Sequence, residues 1–328
     1  MKNFNYLTIP LLAAASVFFA PASAQNDVAA YPSKPITIVV PYAPGGQGDV
    51  MARIVGERLS SSLKQPVIVE NRPGASATLG TRRVVEAKGD GYTLLMGQTG
   101  EIAVNKSVLK NLDYDPQRDL RPIVLVADAP LILAAPVTAP FSDIHGLLKA
   151  AKDQPGKISY ASTGNATPGR LASAALTLGT QTDLLNVPYK SAGQVMTDLL
   201  GNHIHLFFVS TSAFRPHVDA GKLRAIAVST RDRIAAYPNV PTVAETVMPG
   251  FSYTLWAGLF APAGTPDAIV DFLNQQVNTI LLDPEIRSRL DADGSAVKKN
   301  TPAEFSEFVK AEIGKYQKLV SEAGIQAE

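Results

Sequence analysis

The chain contains no cysteine. That excludes disulfides, thiol nucleophiles and Cys-ligated metals, so the fold rests on its core alone. Histidine is scarce. His145, His203, His205 and His217 show no HExxH or related metal spacing, and only His203-x-His205 would share one face of a strand, where a solvated pair is the plainer reading. Neither sign of charge dominates: 30 Lys plus Arg stand against 29 Asp plus Glu, for a formal net charge of +1. With no run of like charges, nucleic acid and membrane surfaces have no electrostatic footprint here. After Gln25 no segment offers the ~18 unbroken apolar residues of a spanning helix.

What is present begins with an export signal. Lys2 gives a positive start, Leu7 to Ala20 an apolar stretch broken by Thr8, Pro10 and Ser16, and Ala22-Ser23-Ala24 an A-x-A cleavage site. Residues 1–24 therefore read as a signal peptide, with the periplasm as destination. The mature chain of about 300 residues exceeds one ordinary core and predicts two lobes.

One stretch organises the rest. Ile36-Thr37-Ile38-Val39-Val40 is short, β-branched and nearly all apolar, which suits a strand covered on both faces in a parallel sheet. Pro41-Tyr42-Ala43-Pro44-Gly45-Gly46-Gln47-Gly48-Asp49 follows, and its glycines leave the backbone bare. Asp49 is the expected N-cap of a helix with apolar residues at Met51, Ile54, Val55, Leu59 and Leu63. A bare loop between a strand's carboxyl end and a helix's amino end is an anion site, because free N–H groups converge there. The plainer alternative is a tight turn. Nucleotide fingerprints are missing: Met51 stands where a dinucleotide loop wants Gly or Ala, and no Gly-Lys-Ser/Thr follows.

Further strands and helices alternate, at 67–74, 77–87 and 92–97, predicting a doubly wound α/β sheet with Gln98-Thr99-Gly100 at the same edge as the glycine loop. A long strand over 123–135 is interrupted at Asp128-Ala129-Pro130. The strand Ile158 to Ala161 and the loop Ser162-Thr163-Gly164-Asn165-Ala166 then lead to Thr167-Pro168, a helix start, with Arg170 one turn in. This repeats the opening strand-loop-helix. Strands at 204–209, 223–228 and 251–260 follow, with helices opening at Thr265-Pro266 and Thr301-Pro302. The expected division is 25–128 plus 250–328 for one lobe and 129–249 for the other. Two crossings, near 128–131 and 248–253, make a hinge that closes on a ligand between two anion-binding edges.

Pro41 to Asp49 closely resembles the first-loop signature of the Bug receptors, periplasmic substrate-binding proteins of tripartite tricarboxylate transporters. Glu70 to Ala75, Asp90 to Leu95, Tyr160 to Asn165, Val187 to Lys190, Gly221 to Ala225 and Ala261 to Pro266 extend the likeness through the mature chain. The resemblance implies a two-lobed α/β fold of the type II-like binding-protein class, no cofactor, a monomer, and delivery of a small carboxylate to membrane subunits. It implies that Gly45, Gly46 and Gln47 face Ser162, Thr163, Gly164, Asn165 and Thr167 across the ligand, with Tyr42, Gln98 and Thr99 shaping the pocket wall.

This chain departs from the pattern in three places. Arg170 stands where many relatives carry His, Ala166 where they carry Gly, and Val209-Ser210 where they carry Asp-Asn. The changes favour a more anionic, less polar-bodied ligand, such as an aromatic or long-chain dicarboxylate of the terephthalate type. Arg170 would meet the second carboxylate, or else be a surface cation. An enzyme would need a nucleophile and a base; Ser162 and Ser210 are present, but no G-x-S-x-G elbow surrounds either. A receptor that presents its ligand to a membrane-bound sensor is compatible with the same pocket.

Overall fold

The computed structural model describes Met1 and residues 31–325, other than residues 293 and 297. The signal-peptide reading, beyond Met1, lies outside the described residues. The strands are β1 Ile36–Val40, β2 Val67–Asn71, β3 Thr93–Gln98, β4 Leu120–Ala129, β5 Leu131–Pro136, β6 Ser159–Ser162, β7 Leu185–Pro188, β8 Phe207–Ser210, β9 Leu223–Val228 and β10 Leu255–Pro262. The helices are α1 Gln47–Leu63, α2 Thr78–Val85, α3 Asn105–Val108, α4 Pro116–Asp119, α5 Ile144–Asp153, α6 Pro168–Thr180, α7 Ala192–Leu200, α8 Thr211–Asp219, α9 Val243–Thr246, α10 Asp267–Leu281, α11 Pro284–Ala292 and α12 Pro302–Glu322. No helix among the described residues is long and apolar enough to cross a membrane.

The fold is two-lobed. One lobe is built on a sheet of order β2-β1-β3-β10-β4. Its strand β1 pairs in parallel with β2 and β3, so the loops after β1 and β3 emerge at one edge. The sheet is mixed rather than uniformly parallel, because β10 runs antiparallel to both β3 and β4. Residues Ile38, Val40 and Leu94 face Val55 of α1, Leu273 of α10 and Leu290 of α11, while Val39 and Leu95 face the side covered by Phe305 and Tyr316 of α12. Helix α12 opens with a capping box in which Thr301 and Glu304 bond each other's backbone.

The other lobe joins an antiparallel sheet, β8-β5-β9, to the parallel pair β6-β7 through a bridge between Tyr160 and Leu206. Alternation along these strands sends Tyr160, Phe208 and Leu133 to the side of α5 and α6, and Ala161, Val209 and Ile132 to the side of α7 and α8. The first of these sides is continuous with the aromatic layer of α12, so apolar packing runs from lobe to lobe.

Between the sheets the chain crosses twice. Only Pro130 separates β4 from β5, and the return runs between β9 and β10. Buried Ser229, just past β9, pins both crossings: its hydroxyl accepts from the Leu131 N–H at 2.9 Å and its carbonyl from Tyr253 N–H at 3.0 Å.

Several local expectations need correction. Asp49 is not the N-cap of α1; Gly46 is, and Asp49 lies inside the first turn because its carboxylate is drawn back into the preceding loop. Helix α10 starts a residue later than Thr265-Pro266 implied, with Pro266 as a cap that has no side chain to offer. Strand β10 begins at Leu255, since Phe251 to Thr254 form the crossing itself. Helices α8 and α11 and a π-type turn over Gly100–Val104 were not foreseen.

Candidate ligand-binding site

The first loop leaves β1 and bends at Gly45, whose φ of +89° is left-handed backbone that glycine adopts without strain. Gly45 and Gly46 are exposed, and no side chain caps α1, so its first-turn N–H groups meet no side-chain acceptor. The loop is held from behind. Asp49 accepts from Gly45 N–H at 2.9 Å, from Arg53 at 2.9 and 3.0 Å, and from the Asn71 side-chain amide at 2.9 Å. Asn71 also donates to the Tyr42 carbonyl at 3.1 Å. Chiefly through its hydrogen bonds to Arg53, the Asp49 carboxyl is lowered to about 2, although burial opposes the shift. The motif around Pro41 and the motif around Asn71, separate in sequence, are therefore one structural unit.

Behind the loop lies Glu101, fully buried in the π-type turn. It accepts from the Tyr42 hydroxyl and from the Gln98 N–H, each at 2.6 Å. Burial dominates and raises its carboxyl to about 7, against the pull of those donors. The Gln98 side chain packs where a Cβ on Gly48 would fall, 2.8 Å from that point, so Gly48 is needed for close approach. Thr99 is turned inward: fully buried, its hydroxyl accepts from Trp256 N–H at 3.0 Å.

Across from Gly45, Gly46 and Gln47 stands the start of α8, Ser210 to Ala213. Together they border a cleft of about 510 Å³. Val50, Met51 and Ile54 of α1 and Leu290 of α11 supply its apolar wall, Ala129 and Leu255 its floor at the crossing strands. Helix α8, like α1, has no side-chain cap. Two uncapped helix starts thus face one cavity, and the partial positive charge of each favours an anion there. Two buried polar atoms of lining residues have no partner among the described residues: the Thr211 hydroxyl and Gln47 Oε1. The Gln47 amide N–H is already given to the Leu255 carbonyl at 2.9 Å.

The loop after β6 does not line this cleft. The Ala166 carbonyl lies 3.6 Å, and the Tyr42 hydroxyl 2.8 Å, from where a Cβ on Gly100 would stand. Ser162 is buried, Thr163 and Asn165 partly so, and Gly164 is exposed. Thr167 caps α6 itself, donating to the Gly164 carbonyl at 3.0 Å and accepting from Arg170 N–H at 3.4 Å. The structure thus brings Gly45, Gly46 and Gln47 against Ser210, and the 162–167 loop against Gly100 and Tyr42. Arg170 donates to the Tyr160 hydroxyl at 2.6 Å, and its buried Nε has no partner among the described residues. Arg289 of α11, which sequence reading missed, lines the cleft beside Leu290.

Comparison with known proteins identifies the family. The family model described as "tripartite tricarboxylate transporter family receptor" matches residues 51–325. A protein in the tcbD-tcbE intergenic region of Pseudomonas sp. strain P51 is 38% identical over 299 residues, spanning 91% of this chain and 89% of that one. Among solved structures, the R. palustris protein Rpa4515 with adipate superimposes with a TM-score of 0.81 at 30% identity, covering 91% of this chain and all (100%) of that one. The periplasmic binding protein BugD does so with a TM-score of 0.77 at 33% identity, again covering 91% and 100%. The chain belongs to the tripartite tricarboxylate transporter receptor family, the Bug-type substrate-binding proteins, and is a receptor rather than an enzyme.

Proposed function

We propose that the chain is a periplasmic receptor that closes its two lobes on a small dicarboxylate and delivers it to the membrane subunits of a tripartite transporter. The observation that carries this reading is the pair of uncapped helix starts, Gly46–Gln47 of α1 and Ser210–Thr211 of α8, across one cleft. Neutral N–H and hydroxyl donors of this kind bind a carboxylate without a catalytic group. Adipate on Rpa4515, 30% identical to this chain, supports a dicarboxylate.

One carboxylate sits between the two helix starts. The apolar wall of Val50, Met51 and Ile54 takes the body of the ligand, which fits a long aliphatic chain or an aromatic ring such as that of terephthalate. Ser162 to Asn165 and Thr167, beside Gly100, complete the enclosure as the lobes close, the crossings at Pro130 and near Tyr253 serving as the hinge.

A thermal-shift screen of mono- and dicarboxylates against their amides tests the reading. A ligand at 100 times its dissociation constant adds about 2.7 kcal/mol of stability. Shifts with carboxylates and none with amides are expected; a panel without any carboxylate-dependent shift refutes it.

A further inference from the structure

We infer that Arg289 is the residue that reads the far anionic group of the ligand, so that the cleft selects molecules with two negative ends joined by an apolar body. The inference rests on the receptor reading above and adds a determinant from a helix outside both glycine-type loops.

Arg289 is the only charged side chain among the described residues that line the cleft. It is exposed, and it makes no ion pair or hydrogen bond with any described residue. Of the acids on α11, Glu285 pairs with Arg58 and Asp291 borders a different cavity. Its position is fixed by a contact across the lobes: Arg215 of α8 donates to the Ala292 carbonyl at the end of α11. That bond sets the helix carrying Arg289 against the helix whose uncapped start, with the unpartnered Thr211 hydroxyl, borders the same space.

Between these poles lies apolar surface. Val50, half-exposed, faces the cleft with Met51, Ile54 and Leu290. A carboxylate at the helix starts would carry its hydrocarbon over this surface and present its other end to the guanidinium, whose planar fork suits a second carboxylate. Arg170 fits the role less well. Its guanidinium is committed to Tyr160, a residue buried in the core of the other lobe, and it does not border this cleft. The bland alternative for Arg289 is a cation in the last turn of α11, favoured there by the helix dipole.

Calorimetry separates these roles. The straight-chain dicarboxylates of four to eight carbons, each beside its monomethyl ester, are titrated into wild type and into Arg289→Gln, Arg170→Gln and Arg287→Gln. Arg287 is an exposed neighbour on α11 that does not line the cleft, so its variant removes the same charge from the same helix. Arg289→Gln should weaken the preferred dicarboxylate about tenfold or more and its monoester less than twofold, while the other two variants shift both ligands alike. Equal effects of Arg289→Gln on diacid and monoester, or selectivity lost in Arg170→Gln or Arg287→Gln instead, overturn the assignment while leaving the receptor reading intact. Wild type that binds none of these diacids or monoesters overturns the straight-chain dicarboxylate reading, and this inference with it.

Discussion

The Tyr42 hydroxyl donates to Glu101 Oε2 at 2.6 Å, tying the exposed first loop to a fully buried carboxyl group. Glu101 also accepts the Gln98 N–H, so one acid fastens the loops that follow β1 and β3. A lone carboxylate so far from water is costly, and its raised affinity for a proton reflects that cost.

The first prediction follows from that proton. Burial lifts Glu101 from an ordinary 4.5 to about 7 in the fold. An acid raised in this sense stabilises the folded state fully below about 4.5, and the contribution is lost as pH climbs through 7. The decline amounts to something on the order of 3 kcal/mol for a shift of this size. Urea unfolding between pH 4.5 and 8 should show it in wild type and show a flatter profile in Glu101→Gln. The same slope in both would assign the effect to other groups.

A second prediction concerns the brace beneath the glycines. Asp49→Ala strips a nearly buried acceptor from Gly45, Arg53 and Asn71 together. Losing charged hydrogen bonds and stranding their donors should cost about 2–4 kcal/mol, and carboxylate affinity should fall because the loop is no longer held open. Wild-type affinity in a folded Asp49→Ala variant would mean that the loop's shape does not matter to binding.

The third prediction uses the freedom around Gly46. Its φ of −75° and ψ of 169° are open to any residue, and a Cβ there would meet only the Ala43 carbonyl, at 3.8 Å. Gly46→Val should therefore cost no more than the loss of a favoured N-cap residue, about 1 kcal/mol, yet place a branched side chain where the ligand's carboxylate comes to the backbone. Affinity should fall at least tenfold. An unchanged dissociation constant would move the ligand away from this helix start.

Much of the fold was legible from period and punctuation. Strands β1 and β9 fall where apolar spacing placed them, and Thr167-Pro168 and Thr301-Pro302 open helices as local cap chemistry dictates. What escaped depends on distant partners. Asp49 looked like a cap because Asn71, 22 residues on, was not visible as its neighbour. Helix α8 buries only Thr211 and Phe214 and contains Pro216, so it shows no apolar stripe, although it forms the far wall of the cleft. Glu101 reads as an ordinary surface acid until tertiary packing closes over it. Arg289 sits in a charge-rich helix where nothing local separates it from Arg287.

A crystal structure of the chain grown with a saturating straight-chain dicarboxylate tests the central claim most directly. One carboxylate is expected between the first turn of α1 at Gly46–Gln47 and that of α8 at Thr211–Ser212, the hydrocarbon against Val50 and Ile54, and the second carboxylate toward Arg289. Ligand density away from both helix starts would contradict it.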